Sequence, residues 1–309
     1  MTDAPTSRLT ASADSDLSGG RIISSDPAFA GRGDTPAPVI CEFCGASRYT
    51  RGRYIGDRVF WNPGGAEVCA CPEGQALFAK RGKEARIARK KERDDEEARK
   101  MRGRVRRVFG NSGMSGRFLM RTFENFQTDA YNRDALKAAR FYAEHFGKVR
   151  PLSHDQNPGM NGLLISGSIG SGKTHIAAAI ANHLLRQGVA VICMSEKKLY
   201  GRIKETFSGD GHHESSVLRL YEQAPLLIID DIGKVQMTEW TISTLYAIID
   251  SRYEAMKPLI VTTNYGNADL VRRLTPPGGD GVAAEAIIDR LVQMCEGIVM
   301  NGPSHRRRG

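Results

Sequence analysis

From Gly162 onward, short unbroken apolar runs alternate with stretches of helical period. "GLLIS", "VAVICM", "LLIID", "PLIVTTN" and a final "GIVM" predict strands buried on both faces. Between them, "KTHIAAAIANHLLRQG", the segment around Lys197 to Phe207, "TEWTISTLYAIIDSRYEAM" and "EAIIDRLVQM" predict helices. Such alternation implies an α/β class: a parallel sheet with helices on both faces. Upstream, "TDAYNRDALKAARFYAEHFG" sets Leu136, Ala139, Phe141, Tyr142 and Phe146 at a helical spacing and stops at Gly147. Globular patterning starts at about residue 117, so the expected main domain is 117–309.

The preceding residues follow other rules. Residues 1–38 are rich in Ser, Asp, Gly, Pro and Ala, with too little apolar surface to offset the entropy of ordering, and are expected to be a disordered tail. Residues 39–78 hold four of the six cysteines and short aromatic stretches, a small module held by something other than a core. Residues 79–116 carry few large apolar side chains and are expected to be a charged linker or helix.

Charge adds one point. The net charge is +9, and Lys80 to Arg107 alone holds fourteen Lys or Arg against six Asp or Glu, an excess of eight. A solvated linker and a nucleic-acid contact both fit that segment; a further "RRR" stands at 306–308. No apolar run approaches the roughly 20 residues of a membrane span, and the N-terminus lacks the apolar core of a signal peptide. No membrane association and a cytoplasmic location are expected, with thiols kept reduced.

The chemistry begins at "GSIGSGKT", Gly167 to Thr174, placed between a predicted strand and a predicted helix. That is the phosphate-loop spacing and context. Gly167, Gly170, Ser171 and Gly172 would turn backbone amides toward phosphates, with the positive end of the following helix behind them. Lys173 would reach the β and γ phosphates of ATP, and the Thr174 hydroxyl would ligate Mg2+. "LLIIDDIG" ends a strand in Asp230 and Asp231, one acid for magnesium and its neighbour to orient water; a solvated acidic turn is the plain alternative. Asn264, closing "LIVTTN", would hold water near the γ phosphate or simply cap a turn.

Cys41 and Cys44 in "CEFC" and Cys69 and Cys71 in "CAC" supply four thiols, and no histidine precedes His145. An all-cysteine Zn2+ site would replace the core that so short a module cannot build. Redox-active or unliganded thiols are the alternatives. Cys193, in a predicted strand, and Cys295, in a predicted helix, read as small buried residues.

The ordered series "TFENF", "GLLISGSIGSGKTHIAAAIANHL", "LLIIDDIG", "LYAIIDSRYE", "IVTTN", "IIDRL" and "NGPSHR" resembles the DnaC/DnaI-type helicase loaders and the related IstB-like transposition ATPases, both of the AAA+ class. The resemblance spans about residues 117 to 306. It implies an AAA+ P-loop NTPase fold in which Asp230 binds magnesium, Asp231 positions the attacking water and Asn264 acts as sensor. It implies that Arg290, in "IIDRL", is an arginine finger reaching a neighbouring subunit's site, hence self-association in a ring or open spiral. An ordinary exposed helix cation is the other reading of Arg290. By the same resemblance, the region after "VICMSE", with Lys197, Lys198, Arg202 and Lys204, contacts single-stranded DNA, unless it is a solvated helix face. An N-terminal zinc module resembles that of DnaI-type loaders and implies docking on a hexameric replicative helicase during replication initiation. Two departures stand out. Asp231 replaces the more usual Glu, and only nineteen residues follow Arg290, too few for a C-terminal helical lid. The rival readings are a transposition regulator that assembles on duplex DNA and a zinc nucleic-acid-binding protein with a vestigial ATPase.

Overall fold

The computed structural model describes residues 21–29, 34–55, 58–110, 112–147, 161–208 and 214–305. Most of the expected tail and the terminal "RRR" lie outside them. The chain divides into two compact units, Met1–Arg93 and Asp94–Gly309.

In the first unit, β1 (Arg21–Ile23), β4 (Thr50–Ile55) and β5 (Arg58–Ala66) form a three-stranded antiparallel sheet, while β2 (Val39–Ile40) and β3 (Ser47–Arg48) form a separate two-stranded ladder. β1 falls inside the stretch expected to be disordered. Its three residues gain order from a distant partner, β4, and Phe29 nearby is buried with its ring edge-on to Trp61 at 5.5 Å. The ordered module thus begins earlier than residue 39.

Helix α1 (Pro72–Phe109) runs unbroken for 38 residues through the expected linker. Charge pairs such as Lys100 with Glu96 (2.8 Å) sit one turn apart on it, in full contact with solvent and so weakly stabilising. Its last turns are not linker. Val105, Val108 and Phe109 are buried in the core of the second unit, and Phe109 stacks on Tyr221 at 5.4 Å.

The second unit continues with α2 (Gly116–Leu119), α3 (Arg133–Glu144), β6 (Gly162–Gly167), α4 (Lys173–Arg186), β7 (Val191–Ser195), α5 (Glu196–Glu205), α6 (Glu214–Gln223), β8 (Leu226–Ile232), α7 (Glu239–Glu254), β9 (Leu259–Thr263), α8 (Asn267–Leu274), α9 (Val282–Met294) and β10 (Cys295–Met300). All five strands are parallel, in the order β10-β6-β9-β8-β7. Successive strand residues feed opposite cores: Leu163, Ile165, Leu226 and Ile228 pack with α3 and α4, whereas Leu164, Leu227 and Ile229 pack with α5 to α9. Helices therefore cover both faces, as the apolar runs predict. Helices α6 and α8 go beyond what the pattern predicts, and Cys295 opens β10 rather than sitting in a helix.

Strand order decides where the chemistry falls. Because β9 lies between β6 and β8, its C-terminal end emerges between the phosphate loop and the two acids.

Candidate nucleotide site

Strand β6 ends at Gly167, and α4 starts at Lys173. Gly167, Gly170 and Gly172 have φ of 137°, 86° and 105°, values that L side chains resist. Gly172 is further constrained by Phe126, whose ring would lie 2.9 Å from an added Cβ. Lys173 Nζ donates to the carbonyls of Gly167 (2.9 Å) and Ser168 (2.7 Å), which holds the amine against the loop. Ser171 Oγ is buried with no protein partner among the described residues. The chain after β10 lies along this loop: Ser168 Oγ donates to the Gly302 carbonyl at 2.7 Å, and the His305 amide donates to the Gly170 carbonyl at 3.0 Å.

Opposite the loop, the β8–β9 register passes from Ile229↔Val261 to Ile232↔Thr263, so Asp230 and Asp231 together face the single residue Thr262. This is a β-bulge, which bends a strand and re-aims its side chains. Asp231 takes a left-handed backbone, φ 66°, which an Asp tolerates better than most residues. Thr262 serves both acids: its hydroxyl donates to Asp230 Oδ1 (2.7 Å) and accepts the Asp231 amide (2.9 Å). Asn264 Nδ2 donates to Asp231 Oδ1 at 2.8 Å, and Lys234 pairs with the other oxygen. Burial pushes the Asp230 carboxyl above the usual range, against hydrogen bonds from Thr262 and Thr174 that pull it down. The hydroxyl of Thr174 and the carboxyl of Asp230 thus meet, a hard-oxygen pair that suits Mg2+.

Lys173, Thr174, Asp231, Lys234, Asn264, Arg121 and His305 line one cleft of about 170 Å3. Of the residues around the site, Arg121, Lys234, Thr262 and His305 are not among the sequence candidates. Thr262 stands in plain view within "TTN" but carries no separate signal. Glu196 is likewise absent from them. Buried at the start of α5, its Oε2 accepts the amides of Gly233, Lys234 and Val235, holding the loop that follows the acids.

Arg290 is not part of its own chain's cleft. Its Nε donates to Asp250 Oδ1 at 2.6 Å and its Nη2 to the Tyr246 hydroxyl at 3.0 Å, and the guanidinium lies 4.9 Å from the Tyr246 ring centre and 5.7 Å from that of Tyr253. It is therefore not the plain exposed helix cation.

The basic residues of α5 divide. Lys197 and Lys198 are exposed, and Lys204 lies 5.1 Å over the Trp240 ring, next to the exposed Phe207. Arg202 instead donates to the Val108 carbonyl and pairs with Glu205, with its side chain 38% exposed.

In the first unit, the Sγ atoms of Cys41, Cys44, Cys69 and Cys71 all lie within 4.8 Å of one another, with 3.8 Å between Cys41 and Cys71 and 3.3 Å between Cys44 and Cys69. Zn–S bonds of about 2.3 Å in a tetrahedron require S–S edges of about 3.8 Å. Amides of Phe43 and Cys44 hydrogen-bond Cys41 and lower its pKa to about 6, and the Gly74 amide donates to Cys71 Sγ at 3.3 Å. Any Cβ at Gly74 would come within 3.0 Å of Cys71 Sγ, so the cradle is shaped around sulfur.

The sheet order, the phosphate loop and the paired acids define the class: an AAA+ P-loop ATPase domain joined to a four-cysteine module. The chain belongs to the family of IstB-like ATP binding proteins, which matches residues 147–309. It is 28% identical to the replicative helicase loader DnaC of Escherichia coli (strain K12) over 207 residues, 66% of this chain and 77% of that protein. It is 27% identical to the phage-like element PBSX protein XkdC of Bacillus subtilis (strain 168) over 201 residues, 62% of this chain and 68% of that one. Among solved structures, the crystal structure of the DnaC helicase loader superposes with a TM-score of 0.50 at 24% identity, over 60% of this chain and all (100%) of that one. Among the described residues, no helix is long and apolar enough to cross a membrane.

Proposed function

We propose that this chain is an ATP-dependent loader of a hexameric replicative DNA helicase, acting in replication initiation. The observation that carries the reading is the cleft that gathers Lys173, Thr174, Asp231 and Asn264, with Asp230 beside Thr174, in a chain similar to DnaC. Loop amides and Lys173 would hold the triphosphate of ATP; Thr174 and Asp230 would hold Mg2+, which when bound neutralises charge developing on the transferred phosphoryl group. Asp231, steadied by Asn264, accepts a proton from or orients the attacking water, and its short side chain favours slow turnover. ATP then serves mainly as an assembly switch.

The second half of that switch is Arg290. Presented beside Tyr246 and held by Asp250, it would exchange the carboxylate for the γ phosphate bound by an adjoining protomer, giving a ring or open spiral. Single-stranded DNA would lie on Lys197, Lys198 and Lys204, with bases stacking at Phe207 and Trp240; Arg202 drops out of that set. Zn2+ on the four cysteines would order the module, whose exposed Ile40, Phe43 and Phe78 form an apolar face for the helicase.

The test is capture of the cognate helicase by the full chain with ATP. Cys44→Ser and Phe43→Ala are expected to abolish capture, and Lys173→Ala to abolish its nucleotide dependence. No complex under any nucleotide condition, or ATP-dependent filaments on duplex DNA alone, would overturn the reading.

A further inference from the structure

We infer that the outer face of the β1-β4-β5 sheet is a separate binding surface for single-stranded DNA, independent of the ATPase cleft. The pairing is specific about what that face carries. Arg21 is the register partner of Arg53, and Arg53 is the partner of Phe60, so the three residues form one rung across three strands. Strand alternation adds Arg51 on β4 and Arg58 on β5 to the same side, and all four arginines of the set are exposed. Arg51 pairs with Glu67 at the margin; Arg21, Arg53 and Arg58 have no acidic partner among the described residues.

Two guanidinium groups directly opposite one another destabilise a sheet. Retaining that rung, with no acid between, makes the face complementary to a polyanion. Phe60 narrows the choice. Its neighbour Trp61 turns inward because it fills the space above Gly52, where an added Cβ would lie 2.9 Å from the indole, and because it packs on Phe29. With Trp61 fixed, the period of two fixes Phe60 outward, 47% exposed and opposite Arg53. A flat ring flanked by arginines matches a ligand in which phosphates alternate with open π-faces. Duplex DNA keeps those faces stacked inside; a single strand offers them.

The experiment uses the full chain carrying Lys197→Ala, Lys198→Ala, Lys204→Ala and Phe207→Ala, which removes the proposed ATPase-domain patch, and fluorescence anisotropy with labelled oligo(dT) over a salt series. Replacing Arg21, Arg53 and Arg58 by Gln is expected to make the slope of log K against log salt shallower by about 2, roughly 0.7 for each phosphate no longer neutralised. Changing the three to Lys should keep the slope. Phe60→Ala should weaken binding about tenfold without altering the slope. Thermal transitions and near-UV spectra matching the parent confirm the fold. An unchanged slope and affinity in the Gln variant would overturn the inference. So would equal competition by duplex DNA, or loss of helicase capture while DNA binding stays constant. None of these outcomes bears on nucleotide hydrolysis, so failure here is distinguishable from failure of the loader reading.

Discussion

Replacing Glu196 by Gln should remove a pH dependence of stability that the wild-type chain owes to one carboxyl group. Only 1% exposed, Glu196 Oε2 accepts three amides, from Gly233 (3.0 Å), Val235 (3.2 Å) and Lys234 (3.3 Å), and the Tyr200 hydroxyl approaches Oε1 at 3.5 Å. Burial nevertheless dominates, and pushes its pKa from the usual 4.5 up to about 7. Between those values the folded chain keeps a proton that the unfolded chain releases. Stability therefore falls as pH rises through that window and levels off above about 7. At 1.36 kcal/mol per pH unit, the loss is about 3 kcal/mol. Gln keeps one oxygen for the three amides but has no proton to release, so the part of the pH dependence owed to this carboxyl should disappear. Urea unfolding of both proteins at a series of pH values, followed by far-UV circular dichroism, measures the difference. Ala is a separate case: it orphans three amides and should cost about 3–5 kcal/mol at neutral pH. A wild-type-minus-Gln difference that does not change with pH would refute the reasoning.

Three further outcomes follow from the same geometry. Thr262→Val removes both the donor to Asp230 and the acceptor for the Asp231 amide; it should lower stability by about 1–3 kcal/mol and raise the magnesium concentration needed for half-maximal ATP turnover, read in a coupled ATPase assay. Arg252 is 0% exposed and donates to the carbonyls of Tyr221, Glu222, Ala224 and Pro258, so Arg252→Met should destabilise by about 3–5 kcal/mol in chemical denaturation. Asp250→Asn should retain ATP-dependent self-association in sedimentation while Arg290→Ala loses it; equal loss in both would mark the pair as merely structural.

The parallel sheet is legible because buried strands read as unbroken apolar runs, and because "GSIGSGKT" fixes a loop by its own backbone needs. What stays hidden depends on distant partners. β1 is three residues long and is ordered by β4; the C-terminal end of α1 looks like linker because Val105, Val108 and Phe109 are few among many charges, yet they suffice to reach the core. Helices α6 and α8 are short, eight to ten residues, and fill the crossovers beside longer neighbours. In the site, residue types are readable but their tethers are not. Nothing in "MSEKK" announces that Glu196 holds the loop after Asp231, and nothing in "IIDRL" announces Asp250. Nothing in "KKLYGRIK" announces that Arg202 donates to the carbonyl of Val108, 94 positions away.

On the role proposed for Asp231, the bulge sets thermal endurance against turnover at one position. Asparagine settles into a left-handed backbone at least as readily as aspartate and would bring no second negative charge beside Asp230. An Asp231→Asn protein is thus expected to melt at a higher temperature and, on the role proposed for Asp231, to lose ATP turnover.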